Sequence, residues 1–312
     1  MFSRILSTGA ALPTNIVSNA DLERELETTD DWITTRTGIR QRHIAGPNVD
    51  TSDLAVEAAR IALARGAVRA ESLDVIVVGT ITSDMVFPST AALIQGRLNA
   101  RTVGAFDVSA ACSGFVYALA VADAMIKSSA ARRALVIGAE KMSKIVDPAD
   151  RATRVLFGDG AAAVVLEAAD APGILSTHLH ADGSTPEELN CAPGAGHSFI
   201  RMQGGHVFRF AVRAMVDAAR EVLVKNRVDI DEIDWFVPHQ ANRRIIETAA
   251  KHLGISWDRV VLTVGEHANT SAASVPLALD RAVSDGRIQR GDKVLLVAVG
   301  GGFTWASSLV VW

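Results

Sequence analysis

Short hydrophobic runs alternate along the chain with alanine-rich stretches in which apolar residues recur at helical spacing. The runs predict buried strands at Leu73–Gly79, Thr102–Val108, Ala134–Gly138, Ala162–Leu166, Ile233–Val237, Val260–Val264, Val294–Val299 and Ser307–Val311. The stretches predict helices at Asp53–Arg65, Gly114–Lys127, Phe208–Asn226, Arg243–Leu253 and Ser274–Ser284. Strands that alternate with helices across short turns are typical of an α/β fold.

The two halves of the chain resemble each other. Residues 57–74 read EAARIALARGAVRAESLD and residues 217–234 read DAAREVLVKNRVDIDEID, which aligns them without a gap at a shift of 160. In the same register, ALVIG at 134–138 falls on VLLVA at 294–298. A period this long does not fit a solenoid repeat, so it indicates two duplicated half-domains.

The boundary between the halves is predicted from composition. The chain turns polar near Ala168–Gly173, which includes Pro172, so we predict half-domains at 1–170 and 171–312. The segment Thr185–Phe199 has the composition of an irregular loop.

Composition also narrows the function classes. Of 312 residues, 49% are hydrophobic and 21% charged, as in a globular protein with a sizeable core. A net charge of −4 gives no strong overall attraction to nucleic acid, and no apolar run approaches the roughly 20 residues that span a bilayer. The two cysteines, Cys112 and Cys191, show neither metal-type spacing nor a disulfide framework. We expect a cytoplasmic protein with no metal and no nucleic-acid or membrane partner.

Cys112 lies in FDVSAACSGF at 106–115, between a strand that ends near Val108 and a helix that begins near Ser113. The N–H groups and the dipole at a helix start favour a thiolate, which predicts a lowered thiol pKa and a reactive cysteine. A free cysteine is also often a small buried hydrophobic residue. This segment alone leaves both interpretations open.

His239 and Asn269 occupy comparable places. His239 follows an apolar strand, and the carboxyl edge of such strands is where open α/β sheets bind ligands. Asn269 lies between a predicted strand and a predicted helix, where a simple helix cap is the alternative interpretation. Cys112 shifted by 160 is position 272, so Asn269 lies in nearly the same turn of the second half. If the halves pack about a pseudo-twofold axis, the three side chains converge.

The glycine run Gly300–Gly302 follows another predicted strand. Glycines let the backbone approach a ligand closely and present unshielded N–H groups, which suits an oxyanion site. A tight turn between the last two strands is the alternative. The run lacks the Lys-Ser/Thr pair of a phosphate-binding loop, which excludes that class of nucleotide hydrolase.

Six motifs in this order make the whole chain resemble the β-ketoacyl-[acyl carrier protein] synthase III family of thiolase-fold condensing enzymes. They are Asp30–Arg40 (DDWITTRTGIR), Ala110–Phe115 (AACSGF), Phe157–Ala161 (FGDGA), Val237–Asn242 (VPHQAN), Asn269–Ser271 (NTS) and Gly300–Trp305 (GGGFTW). The resemblance implies a thiolase-like five-layered αβαβα fold of two duplicated half-domains, and a homodimer.

The resemblance also implies an activity, the decarboxylative Claisen condensation that initiates fatty-acid synthesis. A short acyl-CoA, with acetyl-CoA favoured, reacts with malonyl-[acyl carrier protein] to give 3-oxoacyl-[acyl carrier protein], carbon dioxide and CoA. By this resemblance Cys112 is the nucleophile, His239 and Asn269 hold the malonyl thioester carbonyl, and the N–H groups of Cys112 and Gly301 bind the oxyanion. It implies no metal or redox cofactor.

Further positions match the family pattern. The implied CoA-binding residues are Thr28, Trp32, Arg36, Arg151, Gly204, Ala241 and Asn242, with Trp32 and Arg151 stacking on adenine. Arg209 and Arg244 are implied to dock the acidic carrier protein, although each has the alternative of an ordinary surface charge. Phe87 and Phe157 are implied in the acyl pocket, with Phe87 reaching the partner's pocket, although Phe87 packing the interface alone is the competing interpretation.

Other functions remain in competition. A thiolase would carry a second catalytic cysteine beside the C-terminal glycine motif, whereas Gly300–Phe303 has none and Cys191 lies mid-chain. A specialised condensing enzyme of secondary metabolism with another acyl starter is harder to exclude. A thioester hydrolase that uses Cys112, His239 and Asn269 as a papain-like set would instead release free acid.

Overall fold

Two β-sheets form the centre of the computed structural model, which describes residues 1–192 and 198–312. The strands are β1 Phe2–Ala11, β2 Ile16–Ser18, β3 Gln41–His43, β4 Val75–Gly79, β5 Gly104–Val108, β6 Arg133–Glu140, β7 Gly160–Ala169, β8 Ile174–Ala181, β9 Leu189–Asn190, β10 Arg201–Met202, β11 Trp235–Pro238, β12 Lys293–Gly300 and β13 Thr304–Val311. The helices are α1 Asn19–Glu23, α2 Asp30–Thr37, α3 Thr51–Arg65, α4 Thr90–Arg97, α5 Gly114–Lys127, α6 Arg151–Arg154, α7 Gly204–Asn226, α8 Arg243–Leu253, α9 Val264–His267 and α10 Ser274–Ser284.

The two sheets share a topology. The strand order is β1-β7-β6-β4-β5 in the first sheet and β11-β12-β13-β8 in the second. In the first sheet β4 is parallel to β5 and β6, and β7 is antiparallel to β6 and β1. In the second sheet β11 is likewise parallel to β12, and β13 is antiparallel to β12 and β8. Strands β4, β6, β7 and β1 of the first sheet therefore correspond to β11, β12, β13 and β8 of the second.

Helices cover both faces of each sheet. α3 and α4 bury the outer face of the first sheet, and α7 and α8 bury the outer face of the second. α5 and α10 lie between the sheets, where one apolar cluster joins them to both inner faces. Sheet strands covered on both faces are continuous hydrophobic runs, as in VIVVG of β4. The predicted five-layered αβαβα order is confirmed.

The shift of 160 also relates the elements of the fold. The turn Ala111–Ser113 before α5 corresponds to the turn Ser271–Ala273 before α10, and β6 corresponds residue for residue to β12. The predicted duplication thus matches the observed order of elements. The boundary between residues 170 and 171 stays a prediction, with the first sheet ending at Ala169 and the second beginning at Ile174.

The predicted strand at Val260–Val264 is wrong. Val260 makes only an isolated bridge to Phe236, and Val264 begins the short helix α9. The reason is local, because the N–H groups of Thr263 and Val264 donate to the side-chain oxygen of Gln240, at 2.8 and 3.1 Å, instead of to a neighbouring strand.

Other expectations need smaller corrections. The sequence patterns missed β1 and β8. The predicted loop Thr185–Phe199 contains the short strand β9, which pairs with β10, and its residues 193–197 lie outside the described part of the chain. Across residues 1–192 and 198–312, none of the helices has both the length and the apolar character that crossing a membrane requires.

Candidate active site

A cavity of about 490 Å³ brings the three predicted catalytic side chains together, since Cys112, His239 and Asn269 all line it. They come from both halves of the chain, as the repeat predicted. The cavity wall also contains several of the other predicted site residues, namely Arg36, Phe157, Gly204, Arg209, Ala241, Asn242 and Arg244.

Cys112 is held in the tight turn between β5 and α5. The preceding residue, Ala111, has a positive φ of 44°, and Cys112 is buried. The end of β12 lies against this turn, because a Cβ added to Gly300 would be 2.6 Å from the backbone nitrogen of Cys112. Only glycine at position 300 permits this approach, so the glycine run places free backbone beside the nucleophile candidate.

The thiol of Cys112 does not have the lowered pKa that its place before α5 predicts. Burial, aided by the negative charge of Glu140, raises the pKa of the thiol to about 12. The expectation from the helix terminus is therefore wrong, because the loss of water around the thiol outweighs the effect of the helix.

His239 follows β11 and is buried. Its Nδ1 atom lies 2.5 Å from the Ser274 hydroxyl oxygen, which also accepts the N–H of Gln240 at 3.3 Å. The contact with Ser274 engages Nδ1 and fixes the orientation of the ring. Burial lowers the pKa of His239 to about 3, which keeps the ring neutral at physiological pH.

Asn269 is fixed by its backbone and its side-chain oxygen. Its N–H donates to the carbonyl of Leu156 at 2.9 Å, and its carbonyl accepts the N–H of Gly158 at 3.0 Å. The side-chain Oδ1 accepts the N–H of Ser271 at 2.9 Å. Because the oxygen is engaged, the Nδ2 amide group is the part of Asn269 that is available as a donor to a ligand in the cavity.

The cavity therefore presents a thiol, a neutral imidazole and the amide group of Asn269. A cysteine protease relies on a thiolate beside an imidazolium, whereas here the pKa of Cys112 is about 12 and that of His239 about 3. Neutral N–H donors are suited to hold an oxygen on which negative charge develops. The geometry fits stabilisation of an oxyanion or enolate better than it fits papain-like hydrolysis.

A second group of predicted residues lies on α2 and α6, beside the cavity. The guanidinium of Arg151 lies 4.9 Å from the ring centroid of Trp32, and its Nη1 donates to the carbonyl of Glu27 at 2.9 Å. Asn242 caps α8 and donates to the carbonyl of Arg36 at 3.1 Å. Of these residues Arg36 lines the cavity, and Trp32 lies one helical turn before it on α2, four residues after Thr28.

Two family models match the chain: 3-Oxoacyl-[acyl-carrier-protein (ACP)] synthase III at residues 106–183, and the C-terminal model of the same synthase at residues 223–312. A curated β-ketoacyl-[acyl-carrier-protein] synthase III from Xylella fastidiosa is 53% identical, over 99% of this chain and 98% of that protein. The chain belongs to the β-ketoacyl-[acyl-carrier-protein] synthase III family. The resemblance inferred from the six motifs is confirmed, and with it the prediction of an acyltransferase-type condensing enzyme.

Solved structures agree with membership of the synthase III family. The 3-oxoacyl-[acyl-carrier-protein] synthase III of Aquifex aeolicus VF5 has a TM-score of 0.96 and 47% identity, over 99% of this chain and 100% of that one. The priming β-ketosynthase of the R1128 polyketide biosynthetic pathway also has a TM-score of 0.96, with 37% identity over 99% and 96% of the two chains. The predicted thiolase-like fold is confirmed by these neighbours.

Not every residue implied by the synthase III resemblance lies at the cavity. Phe87 is on an exposed segment with 83% of its surface accessible, so it does not reach the cavity of its own chain. Gly300 rather than Gly301 is in the cavity wall, with Gly301 the next residue.

Two residues beside the site were not predicted from the sequence: Ser274, which orients His239, and Glu140, which lies buried beside the Cys112 turn. For Glu140 a signal existed, because the shift of 160 places it on Gly300.

Proposed function

We propose that this protein catalyses the decarboxylative condensation of acetyl-CoA, or another short acyl-CoA, with malonyl-[acyl carrier protein], and so initiates fatty-acid synthesis in the cytoplasm. The products are 3-oxoacyl-[acyl carrier protein], carbon dioxide and CoA. The observation that carries the proposal is the cavity in which Cys112, His239 and Asn269 meet, in a chain of the synthase III family.

In the first half-reaction Cys112 attacks the thioester carbon of acyl-CoA as its thiolate, and the proton that the thiol gives up is taken by the CoA sulfur as CoA leaves. The oxygen becomes negative in the tetrahedral intermediate and is held by the N–H groups of Cys112 and Gly301, until CoA leaves and acyl-Cys112 remains. The close approach of the glycine run to the backbone nitrogen of Cys112 supports this pair of donors.

In the second half-reaction malonyl-[acyl carrier protein] occupies the cavity. The Nε2–H of His239 and the Nδ2 amide of Asn269 donate to its thioester oxygen, which becomes an enolate oxygen as carbon dioxide leaves. The enolate carbon attacks acyl-Cys112, and the Cys112 thiolate leaves as the product forms. The neutral imidazole and the engaged Oδ1 of Asn269 support these donor roles. None of these steps needs a metal or redox cofactor.

The route for CoA follows the same wall. We assign Trp32 and Arg151 to the adenine, Arg36 to a phosphate, and the small surfaces of Gly204 and Ala241 to the pantetheine arm, with Asn242 and Thr28 beside them. The Trp32–Arg151 contact and the place of Arg36, Gly204, Ala241 and Asn242 in the cavity wall support this assignment.

The decisive experiment offers the protein malonyl-[acyl carrier protein] with a series of acyl-CoAs and identifies the products by mass. We expect 3-oxobutanoyl-[acyl carrier protein] from acetyl-CoA as the main product. Release of free acetate without condensation would instead establish a thioester hydrolase.

A specialised condensing enzyme with another starter is the second candidate. The 37% identity to the R1128 priming β-ketosynthase favours it, but the 53% identity to the Xylella fastidiosa relative favours fatty-acid initiation more strongly. A main product from a long or unusual acyl-CoA in the same assay would reverse this order.

We further propose that two copies form a homodimer through the exposed segment that follows β4. This segment carries a cluster of apolar side chains, with accessible fractions of 47% for Met85, 96% for Val86 and 83% for Phe87. Contiguous exposed apolar side chains of this kind mark interaction surfaces. In such a dimer Phe87 would fill the end of the acyl pocket of the partner.

We predict that Phe87→Thr shifts primer selectivity from acetyl-CoA towards longer acyl-CoAs. With a phenylalanine at the end of the pocket, a long acyl chain overfills the space. Overfilling costs about 1–3 kcal/mol, which should lower kcat/KM for long acyl-CoAs roughly 5- to 150-fold. The measurement is kcat/KM for acetyl-, propionyl-, octanoyl- and decanoyl-CoA. The neighbouring Val86→Thr should leave the order unchanged. A wild type that prefers decanoyl-CoA would contradict the pocket argument.

Charge reversal at Arg209 or Arg244 should weaken the use of the carrier protein. Both side chains are exposed and line the cavity, so they can meet an acidic partner at its mouth. We expect Arg209→Glu and Arg244→Glu to raise the apparent KM for malonyl-[acyl carrier protein] roughly tenfold, and that for acetyl-CoA less. Added salt should raise the same apparent KM in the wild type.

Arg69→Glu, at an exposed site in the first half, is the control. Equal effects on both substrates would leave these arginines as ordinary surface charges.

A further inference from the structure

Glu140 ends β6 and is completely buried beside the active-site turns. Its carboxyl accepts hydrogen bonds from the hydroxyls of Thr80 at 3.2 Å and Ser271 at 3.1 Å, from the N–H of Ile81 at 3.2 Å, and from the hydroxyl of Thr82. Burial of a carboxylate is costly, and here hydrogen bonds from uncharged groups offset that cost. Neither proposed half-reaction uses this group.

Ser271 connects Glu140 to the catalytic asparagine. Its φ of 50° lies in the left-handed region, which is unfavourable for a residue with a side chain unless its surroundings hold it there. The hydroxyl of Ser271 donates to Glu140, while its N–H donates to Oδ1 of Asn269 at 2.9 Å. Glu140 thus anchors the residue whose backbone sets the orientation of the Asn269 amide.

The carboxyl is present in only one half of the duplication. A shift of 160 relates Glu140 to Gly300 and Ser271 to Ala111, which also has a positive φ. In the second half a bare glycine ends the strand and approaches the Cys112 turn. In the first half a carboxyl group takes that place and holds the Ser271 turn, although the equivalent turn at Ala111 forms without such an anchor.

We propose that Glu140 is a positioning residue for the condensation, which acts through Ser271 to keep the Nδ2 amide of Asn269 directed at the malonyl thioester oxygen. The inference rests on the proposed function. It assigns Glu140 to the malonyl half-reaction, in contrast to a purely structural role in holding the Thr80–Thr82 loop.

The charge of Glu140 provides a second readout. It raises the pKa of Cys112, while burial raises the pKa of Glu140 itself to about 7 against the hydrogen bonds that lower it. Glu140→Gln removes this charge and keeps the size of the side chain, so Cys112 should titrate at lower pH.

The experiment compares the wild type with Glu140→Gln in both half-reactions and follows the Cys112 thiolate by its ultraviolet absorbance. We expect kcat for malonyl-[acyl carrier protein] decarboxylation to fall roughly 10- to 100-fold with little change in KM, because one oriented donor is lost in the transition state. Acetyl transfer to Cys112 should persist, and the thiolate should appear at lower pH. Ser271→Ala should reproduce the decarboxylation defect, because it removes the hydroxyl through which Glu140 holds the Ser271 turn.

A double-variant cycle separates positioning from general loss of structure. If Glu140 acts through Asn269, adding Glu140→Gln to Asn269→Ala should cause no further loss of decarboxylation. Asp123→Asn is the matched control, since Asp123 is a buried carboxyl that binds Ser3 and Lys127 elsewhere in the fold. Equal losses in both half-reactions, or additive losses with Asn269→Ala, would overturn the inference. A wild type that forms no 3-oxoacyl product would overturn the proposed function instead.

Discussion

Replacing Cys112 with serine should abolish the transfer of acetyl from acetyl-CoA to the protein. The wild type should gain the mass of one acetyl group when incubated with acetyl-CoA alone, because Cys112 carries the thiol that lines the cavity opposite His239 and Asn269. A serine hydroxyl at that place has no base to activate it, so we expect a loss on the order of 10³-fold or more. Intact-mass spectrometry measures the result.

Cys191 provides the control for this experiment. It packs beside Phe157 and Met142, and its thiol donates to the carbonyl of Ser198 at 3.4 Å. Cys191→Ser should therefore keep acetyl transfer and most of the turnover. An acetyl group found on Cys191 in the wild type would refute the assignment of the nucleophile.

The pH at which Cys112 reacts distinguishes a thiol pKa raised by burial from one lowered by the helix terminus. A thiol whose pKa is about 12 is almost entirely protonated at neutral pH, and its thiolate fraction rises about tenfold per pH unit up to that value. Alkylation of Cys112 by iodoacetamide should therefore keep rising from pH 7 to pH 10. A plateau near pH 7 would show that the helix terminus, and not burial, controls the free thiol.

The duplicated fold was predictable from two independent features of the sequence, its hydrophobic runs and its internal repeat. Strands covered by helices on both faces must be apolar throughout, so β4, β6 and β12 stand out as hydrophobic runs. The two alignments at a shift of 160 then fix the correspondence of the halves. The edge strands β1 and β8 were not predicted, because polar and small residues interrupt the hydrophobic pattern of their sequences, FSRILSTGAA and ILSTHLHA.

Parts of the site were predictable for a different reason. Cys112, His239 and Asn269 each follow a strand or precede a helix, and the repeat brings such positions to one place. The pKa of Cys112 was not predictable, since it depends on burial by both halves and on the charge of Glu140. The orientation of the His239 ring depends in the same way on Ser274, which is 35 residues away.

Removing either donor should separate the two half-reactions. We expect His239→Ala and Asn269→Ala each to lose malonyl-[acyl carrier protein] decarboxylation by on the order of 10²–10³-fold, as is typical when one oxyanion donor is removed. Acetyl transfer to Cys112 should largely persist, because with a pKa of about 3 His239 is a poor base for the thiol. Release of labelled carbon dioxide measures the first step, and intact mass measures the second.

His252→Ala is the matched control, since this exposed histidine near the end of α8 should leave both half-reactions unchanged. The two donors hold the same oxygen, so the double variant should lose less than the product of the single losses. Complete loss of acetyl transfer in both single variants would contradict this division of labour. It would mean that His239 activates Cys112 as a base, as in a cysteine protease.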